Sequence, residues 1–245
     1  QAWASTPPVI DGSIGTTEWA SAATASLSLG SFSATLYVMN DAGNLYLAFK
    51  INDPDYEHGS GMSSDLIVFQ FDNDNDGVFP EDGDEYLFVR GDGFNDGYIS
   101  GGGLNTDESD GGTNDGNGAM NGGGGYNYFE ISHPLNTADD SHDFSLTAGM
   151  TVGFHIHYYE YPTGWTSWWP GDTGNTMGDI VIASAPPTLS AWCSAAPTID
   201  GAVGATEWQN AAHAPIAIGW TFVGDIWIMN DAENLYLAIK IADSS

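Results

Sequence analysis

The sequence predicts an all-β protein of half-buried antiparallel strands, followed by an incomplete second copy of the same domain. Three observations predict it. Apolar residues alternate with period two through the strongest segments. Aromatic residues make up 13% of the chain and glycines number 32, which suits strands and turns better than helices. The opening P-V-I-D-G-S-I-G-T-T-E-W, Pro8–Trp19, returns as P-T-I-D-G-A-V-G-A-T-E-W, Pro197–Trp208. Met39–Ile51 likewise returns as Met229–Ile241, and Trp3 has a counterpart in Trp192. So long a period means tandem domains rather than a solenoid.

Element by element, P-P-V-I-D-G at residues 7–12 is an opening turn. Thr17–Ala23 reads as one helical turn behind a threonine cap. In Ala34–Asn40, Leu36 and Val38 face one way, Tyr37 and Met39 the other. In Asn44–Asn52, Leu45, Leu47, Phe49 and Ile51 line one face and Tyr46, Ala48 and Lys50 the opposite one. D-A-G-N at Asp41–Asn44 is the hairpin turn between them. Asp65–Phe71 and Glu85–Arg90 are further strands, separated by an acidic loop over Asp72–Asp84. Residues 91–125 are rich in Gly, Asn and Asp, with little to bury, and read as a long loop that is functional or ordered by ions. Strands resume at Tyr126–Ile131 and Thr151–Tyr159. A Trp-rich segment follows, and a last strand at Asp179–Ala183. The expected division is a complete copy at 1–184, a linker at 185–196 and an incomplete copy at 197–245.

The net charge of -30, from three cations against 33 acids, makes nucleic acid and anionic membranes poor partners and hard cations such as calcium good ones. No run of apolar residues is long enough to span a bilayer, so no membrane insertion is expected. A chain opening at Gln1 reads as a processed, secreted chain, extracellular or at the cell surface. The single cysteine, Cys193, has no internal partner for a disulfide.

The sharpest local motif is D-N-D-N-D-G, Asp72–Gly77. Carboxylates at its first, third and fifth positions and a glycine at the sixth let a tight turn aim oxygens at one hard cation. The expected ion is calcium, on Asp72, Asp74 and Asp76, with Asp82, Asp84 or Glu85 closing the shell. Eight acids lie within Asp65–Glu85, and their mutual repulsion opposes folding unless a cation offsets it. His155 and His157 share one strand face, but no zinc-site spacing accompanies them. No G-x-S-x-G, Walker loop or dinucleotide fingerprint is present, so the chain is read as not an enzyme.

In this order along the chain, I-D-G…E-W at Ile10–Trp19, N-L-Y-L-A-F-K-I-N-D-P-D at Asn44–Asp55, D-L-I-V-F-Q-F-D-N-D-N-D-G at Asp65–Gly77 and Y-F-E-I-S-H-P-L at Tyr128–Leu135 carry a resemblance. Leu146–Phe154 and W-W-P-G…M-G-D-I-V-I-A at Trp168–Ala183 complete it. The chain resembles the family-nine carbohydrate-binding modules and the wider DOMON-like group over roughly residues 7–184. The resemblance implies a jelly-roll-like β-sandwich, usually secreted, often with bound calcium and often attached to enzymes that act on polysaccharides. Binding aromatics in such modules lie in the closing loop, which directs attention to Tyr159, Trp165, Trp168 and Trp169. Sugar C–H faces stack on such rings.

An incomplete second sandwich leaves an apolar face uncovered: Ile226, Ile228, Leu235, Leu237, Ile239 and Ile241. It would be covered by a longer array, by the first domain, or by strands of a neighbouring copy. The expected function is therefore a secreted structural subunit that binds calcium and assembles head to tail with copies of itself. The alternative is a carbohydrate-binding module that tethers an enzyme or a cell to polysaccharide.

Overall fold

The computed structural model describes residues 1–245 other than 140, 141, 167, 172–175, 187–189, 205, 219–221 and 243–245. The chain divides into two compact units, Gln1–Ala185 and Pro186–Ser245. Part of the segment expected as a linker falls outside the described residues.

The first unit is a sandwich of two antiparallel sheets. One sheet runs β1–β2–β3–β9–β8, built from Ala23–Leu29, Phe32–Asn40, Asn44–Ile51, Tyr126–Pro134 and Asn117–Gly123. The other runs β11–β10–β4–β5–β6–β7, from Gly164–Trp165, Thr151–Glu160, Leu66–Asp72, Glu85–Arg90, Gly93–Ser100 and Gly103–Thr106. The strand β12, Gly178–Val181, pairs with β10.

The period-two pattern explains the layering. Leu47, Phe49, Phe129 and Ile131 point inward from the first sheet and meet Ile67, Phe69, Leu87 and Ile156 of the second. Phe49 and Phe69 meet edge to face at 6.4 Å. The outer face of the first sheet is covered by residues 2–22, where Trp19 packs with Met39, Tyr46 and Ala48. The buried Glu130 fastens this cover. Its Oε2 accepts from the backbone N–H of Asp11, Gly12 and Ser13 at 3.0, 2.7 and 3.1 Å, and its Oε1 from Trp19 Nε1 at 2.7 Å. Gly12 has φ +84, and a Cβ there would lie 2.8 Å from the Met120 carbonyl carbon, so only glycine fits.

Two expectations need correction. The helical turn expected at Thr17–Ala23 lies earlier: Trp19 N donates to the Gly15 carbonyl across a single turn, turns end at Ser21 and Ala23 already belongs to β1. Residues 91–125 are not one loop but hold β6, β7, β8 and a short 3-10 turn at Asp107–Asp110. These strands hide in the sequence because glycines occupy their tightest packing positions. A Cβ on Gly118 would lie 2.4 Å from Val89 Cγ2, and one on Gly97 2.3 Å from the Asn105 carbonyl oxygen.

The second unit is a three-stranded antiparallel sheet: β13, Ala212–Ile218; β14, Phe222–Asn230; and β15, Leu235–Ala242. Its local hydrogen bonds repeat those of the first unit. Trp192 bridges Asn230 as Trp3 bridges Asn40. Glu207 accepts from Gly204 N as Glu18 does from Gly15 N. Asp231 takes the Tyr236 hydroxyl at 2.7 Å, as Asp41 takes that of Tyr46. A small core gathers Trp208, Met229 and the buried free thiol of Cys193. Burial differs between the units. Leu235, Leu237, Ile239 and Ile241 are 65, 53, 55 and 36% exposed, whereas the matching Leu45, Leu47, Phe49 and Ile51 are buried. Among the described residues β15 pairs with β14 alone, whereas β3 pairs with both β2 and β9. Trp208 Nε1 is buried with no acceptor, where Trp19 has Glu130.

Candidate functional site

The outer face of the second sheet carries an aromatic surface. Strand alternation places Gln70 of β4 beside His155 of β10, and Val68 beside His157. β11 returns Trp165 against Tyr159 in an edge contact at 5.0 Å. His157 stacks between Trp165 (4.4 Å, 27°) and Trp168 (4.2 Å, 22°), and its Nε2–H donates to the Thr166 carbonyl at 2.7 Å. His155 sits between Phe79 at 4.5 Å and Trp168 at 4.7 Å, with both ring nitrogens unpartnered. Burial holds His155 down at about 4 and lowers His157 as well, so both rings are neutral at pH 7.

Of the tryptophan pair, Trp168 turns to this face and Trp169 turns inward. Trp169 packs on Phe154 at 5.6 Å against the main core, which removes it from the candidate binding set. A backbone bridge to Ile156 fixes this alternation. Trp165 is 49% exposed. Between Phe79 and Trp168 lies a pocket of about 300 Å³, lined also by Gln70, Pro80, Ile99 and Leu104. The Gln70 Oε1 has no hydrogen-bond partner although the residue is buried. Apolar walls with a few fixed polar atoms are the makings of a small-ligand site. Sequence reading missed Phe79 and Gln70, since neither lies in the Trp-rich segment.

The acidic loop is the second candidate. Asp72, Asp74 and Asp76 present ligand atoms within 4.8 Å of one another. Asp72 is buried and accepts from the N–H of Asp76 and Gly77 at 3.2 and 2.8 Å, while Asp74 and Asp76 are exposed. Asp84 accepts from Asn73 N and Glu81 N at 3.3 and 2.9 Å, and burial pushes it up to about 6. Asp82 is exposed. Glu85 parts from this set. It pairs with Phe71 in the sheet and so faces the sandwich interior, one residue out of phase with Asp84.

There Glu85 meets a group that spacing does not reveal. Asp96 of β6, Asp107 of the 3-10 turn, His133 of β9 and Asp143 converge on it, all buried. Burial pushes Glu85 up to about 8. Burial pulls His133 down, but the facing carboxylates of Glu85, Asp96 and Asp143 prevail and raise it to about 9. Asp107 is driven well above the usual carboxylate range by burial and by Asp96 and Asp143.

No protein-family model matches the sequence. No curated protein matches it either. Among solved structures the chain is similar to a carbohydrate binding module family 9 protein from Caldicellulosiruptor kristjanssonii in complex with cellotriose, with a TM-score of 0.51 at 15% identity over 74% of this chain and 92% of that one. It is also similar to such a module from the same organism in complex with glucose, with a TM-score of 0.50 at 15% identity over 76% and 97%. At this identity the likeness shows the fold, a family-nine-like β-sandwich.

Proposed function

We propose that the chain is a secreted, non-catalytic carbohydrate-binding module that takes sugar on the outer face of its second sheet. The observation that carries the reading is the pocket between Phe79 and Trp168, with its unpartnered Gln70 oxygen. A sugar ring stacks its C–H face on the indole, and a rotation of the Gln70 amide toward the pocket gives a hydroxyl its acceptor. Trp165 and His157 extend the same platform outward. The solved structures of like fold are modules in complex with cellotriose and glucose, which supports a saccharide ligand. The test is binding to insoluble polysaccharides and titration with soluble oligosaccharides. Trp168→Ala lowers affinity by about tenfold or more with the circular dichroism unchanged, and Trp165→Ala lowers it less. Binding by Trp168→Ala equal to the native chain overturns the reading.

Calcium is proposed for the loop of Asp72, Asp74 and Asp76, supported by their mutual approach and the turn geometry around Asp72.

A second reading rests on residues 186–245. We propose that they associate with another copy of the chain, burying the face of Leu235, Leu237, Ile239 and Ile241. The support is the contrast in burial with Leu45–Ile51 and the bare indole of Trp208. A head-to-tail contact of this kind does not close on itself and gives a filament.

A further inference from the structure

The buried cluster of Glu85, Asp96, Asp107, His133 and Asp143 belongs neither to the aromatic face nor to the acidic loop. Most of its members have one polar atom satisfied outside the cluster and one bare inside it. Glu85 Oε2 accepts from Phe144 N at 2.6 Å, while Oε1 is bare. Asp143 Oδ2 takes the Thr137 hydroxyl, while Oδ1 is bare. Asp96 differs: its Oδ2 accepts from Asp115 N and is also the oxygen 3.5 Å from His133 Nε2, while Oδ1 is bare. Both Asp107 oxygens are bare. His133 Nδ1 lies 2.8 Å from the Pro134 carbonyl, which can only accept, so Nδ1 holds a proton. His133 Nε2 is left without a partner in a fully buried ring.

Distances decide between two accounts. If the cluster were closed by hydrogen bonds, an Nε2–H would need an acceptor near 2.9 Å. Its nearest carboxylates, on Asp96, Glu85 and Asp143, stand 3.5, 3.7 and 3.8 Å away. That is too long for a hydrogen bond. It is close to the gap between two ligands of one ion, about 3.4 Å for bonds of about 2.1 Å at a tetrahedral angle. Two trios, Glu85–His133–Asp143 and Asp96–Asp107–Asp143, each bring ligand atoms within 4.8 Å, and they share Asp143. The outward hydrogen bonds are those that hold metal ligands in place, including a histidine donating its other N–H to a backbone carbonyl.

We propose that Glu85, Asp96, Asp107, His133 and Asp143 hold one first-row transition-metal dication, zinc or manganese, between the sheets of the first unit. An imidazole nitrogen among carboxylates favours such an ion over calcium, which takes oxygen ligands. The ion ties together β5, β6, β9, the 3-10 turn and the segment that carries Asp143, so it acts as an internal staple.

The test uses the full chain, stripped with a chelator, dialysed and titrated with zinc, manganese and calcium chlorides. Zinc or manganese binds at one equivalent, tighter than calcium, and raises the thermal midpoint by about 5 °C or more at saturation. Asp74→Asn with Asp76→Asn leaves this binding unchanged, whereas His133→Gln weakens it by about 100-fold. Should His133→Gln fail to fold, pulsed EPR of the manganese-loaded native chain replaces it, and coupling to an imidazole nitrogen must appear. No transition-metal binding by the stripped chain, preference for calcium by the stripped chain carrying Asp74→Asn with Asp76→Asn, a folded His133→Gln with native affinity, or no nitrogen coupling each overturns the proposal.

Discussion

Glu130 shows how one side chain decides the placing of a whole segment. Its carboxylate gathers three backbone N–H groups and an indole N–H from residues 11–19, so the cover over the first sheet hangs on it. Glu130→Gln keeps the shape but turns an amide donor toward donors. Such a loss at a buried charge-assisted site costs about 2–3 kcal/mol. Urea unfolding measures the cost, and Trp19 emission shifts to the red as its pocket loosens. An unchanged midpoint would mean that the cover is held by packing alone. At this scale the sequence was informative about chemistry close along the chain and silent about chemistry across it. D-N-D-N-D-G announces its carboxylates. Glu85, Asp96, Asp107, His133 and Asp143 are scattered over five segments, and no spacing rule gathers them. Trp168 and Trp165 were legible as candidates, but the Phe79 wall comes from the middle of the acidic loop, far from them in sequence.

Strands with large alternating residues, such as β2, β3, β4 and β10, could be read directly. Those where glycine supplies the fit, such as β6 and β8, could not, because the alternation signal needs side chains. The element with most consequence is β15. Its counterpart β3 has β9 along its outer edge, with Glu130 opposite Ala48. Ala238 is therefore where a completing strand would set a carboxylate for Trp208 Nε1. Sedimentation of the native chain shows association that rises with concentration, and Leu237→Asp with Ile239→Asp abolishes it. A peptide of sequence Tyr126–Pro134 competes with association, and its Glu130→Gln form competes less well. A native chain that stays monomeric at tens of micromolar overturns the assembly reading.

For the whole molecule, charge is the governing quantity. Thirty net negative charges repel one another, and the loop around Asp72 and the interior around His133 concentrate them. Calcium therefore raises the thermal midpoint of the native chain by a few degrees. In Asp74→Asn with Asp76→Asn the gain falls to what an equal ionic strength of magnesium gives. A gain unaffected by the two substitutions would assign the effect to general screening instead. No helix among the described residues is long and apolar enough to cross a membrane. The sandwich itself was expected from the resemblance and is the fold found.

Cys193 adds a final consequence. It is the only thiol in the chain, and it is shut inside the small core beside Trp208 and Met229. The larger unit offers an alkylating reagent nothing to react with. The rate of alkylation is thus a clock for the opening of residues 186–245 alone. Anything that covers β15 slows that clock, and the sandwich of the first unit stays silent throughout.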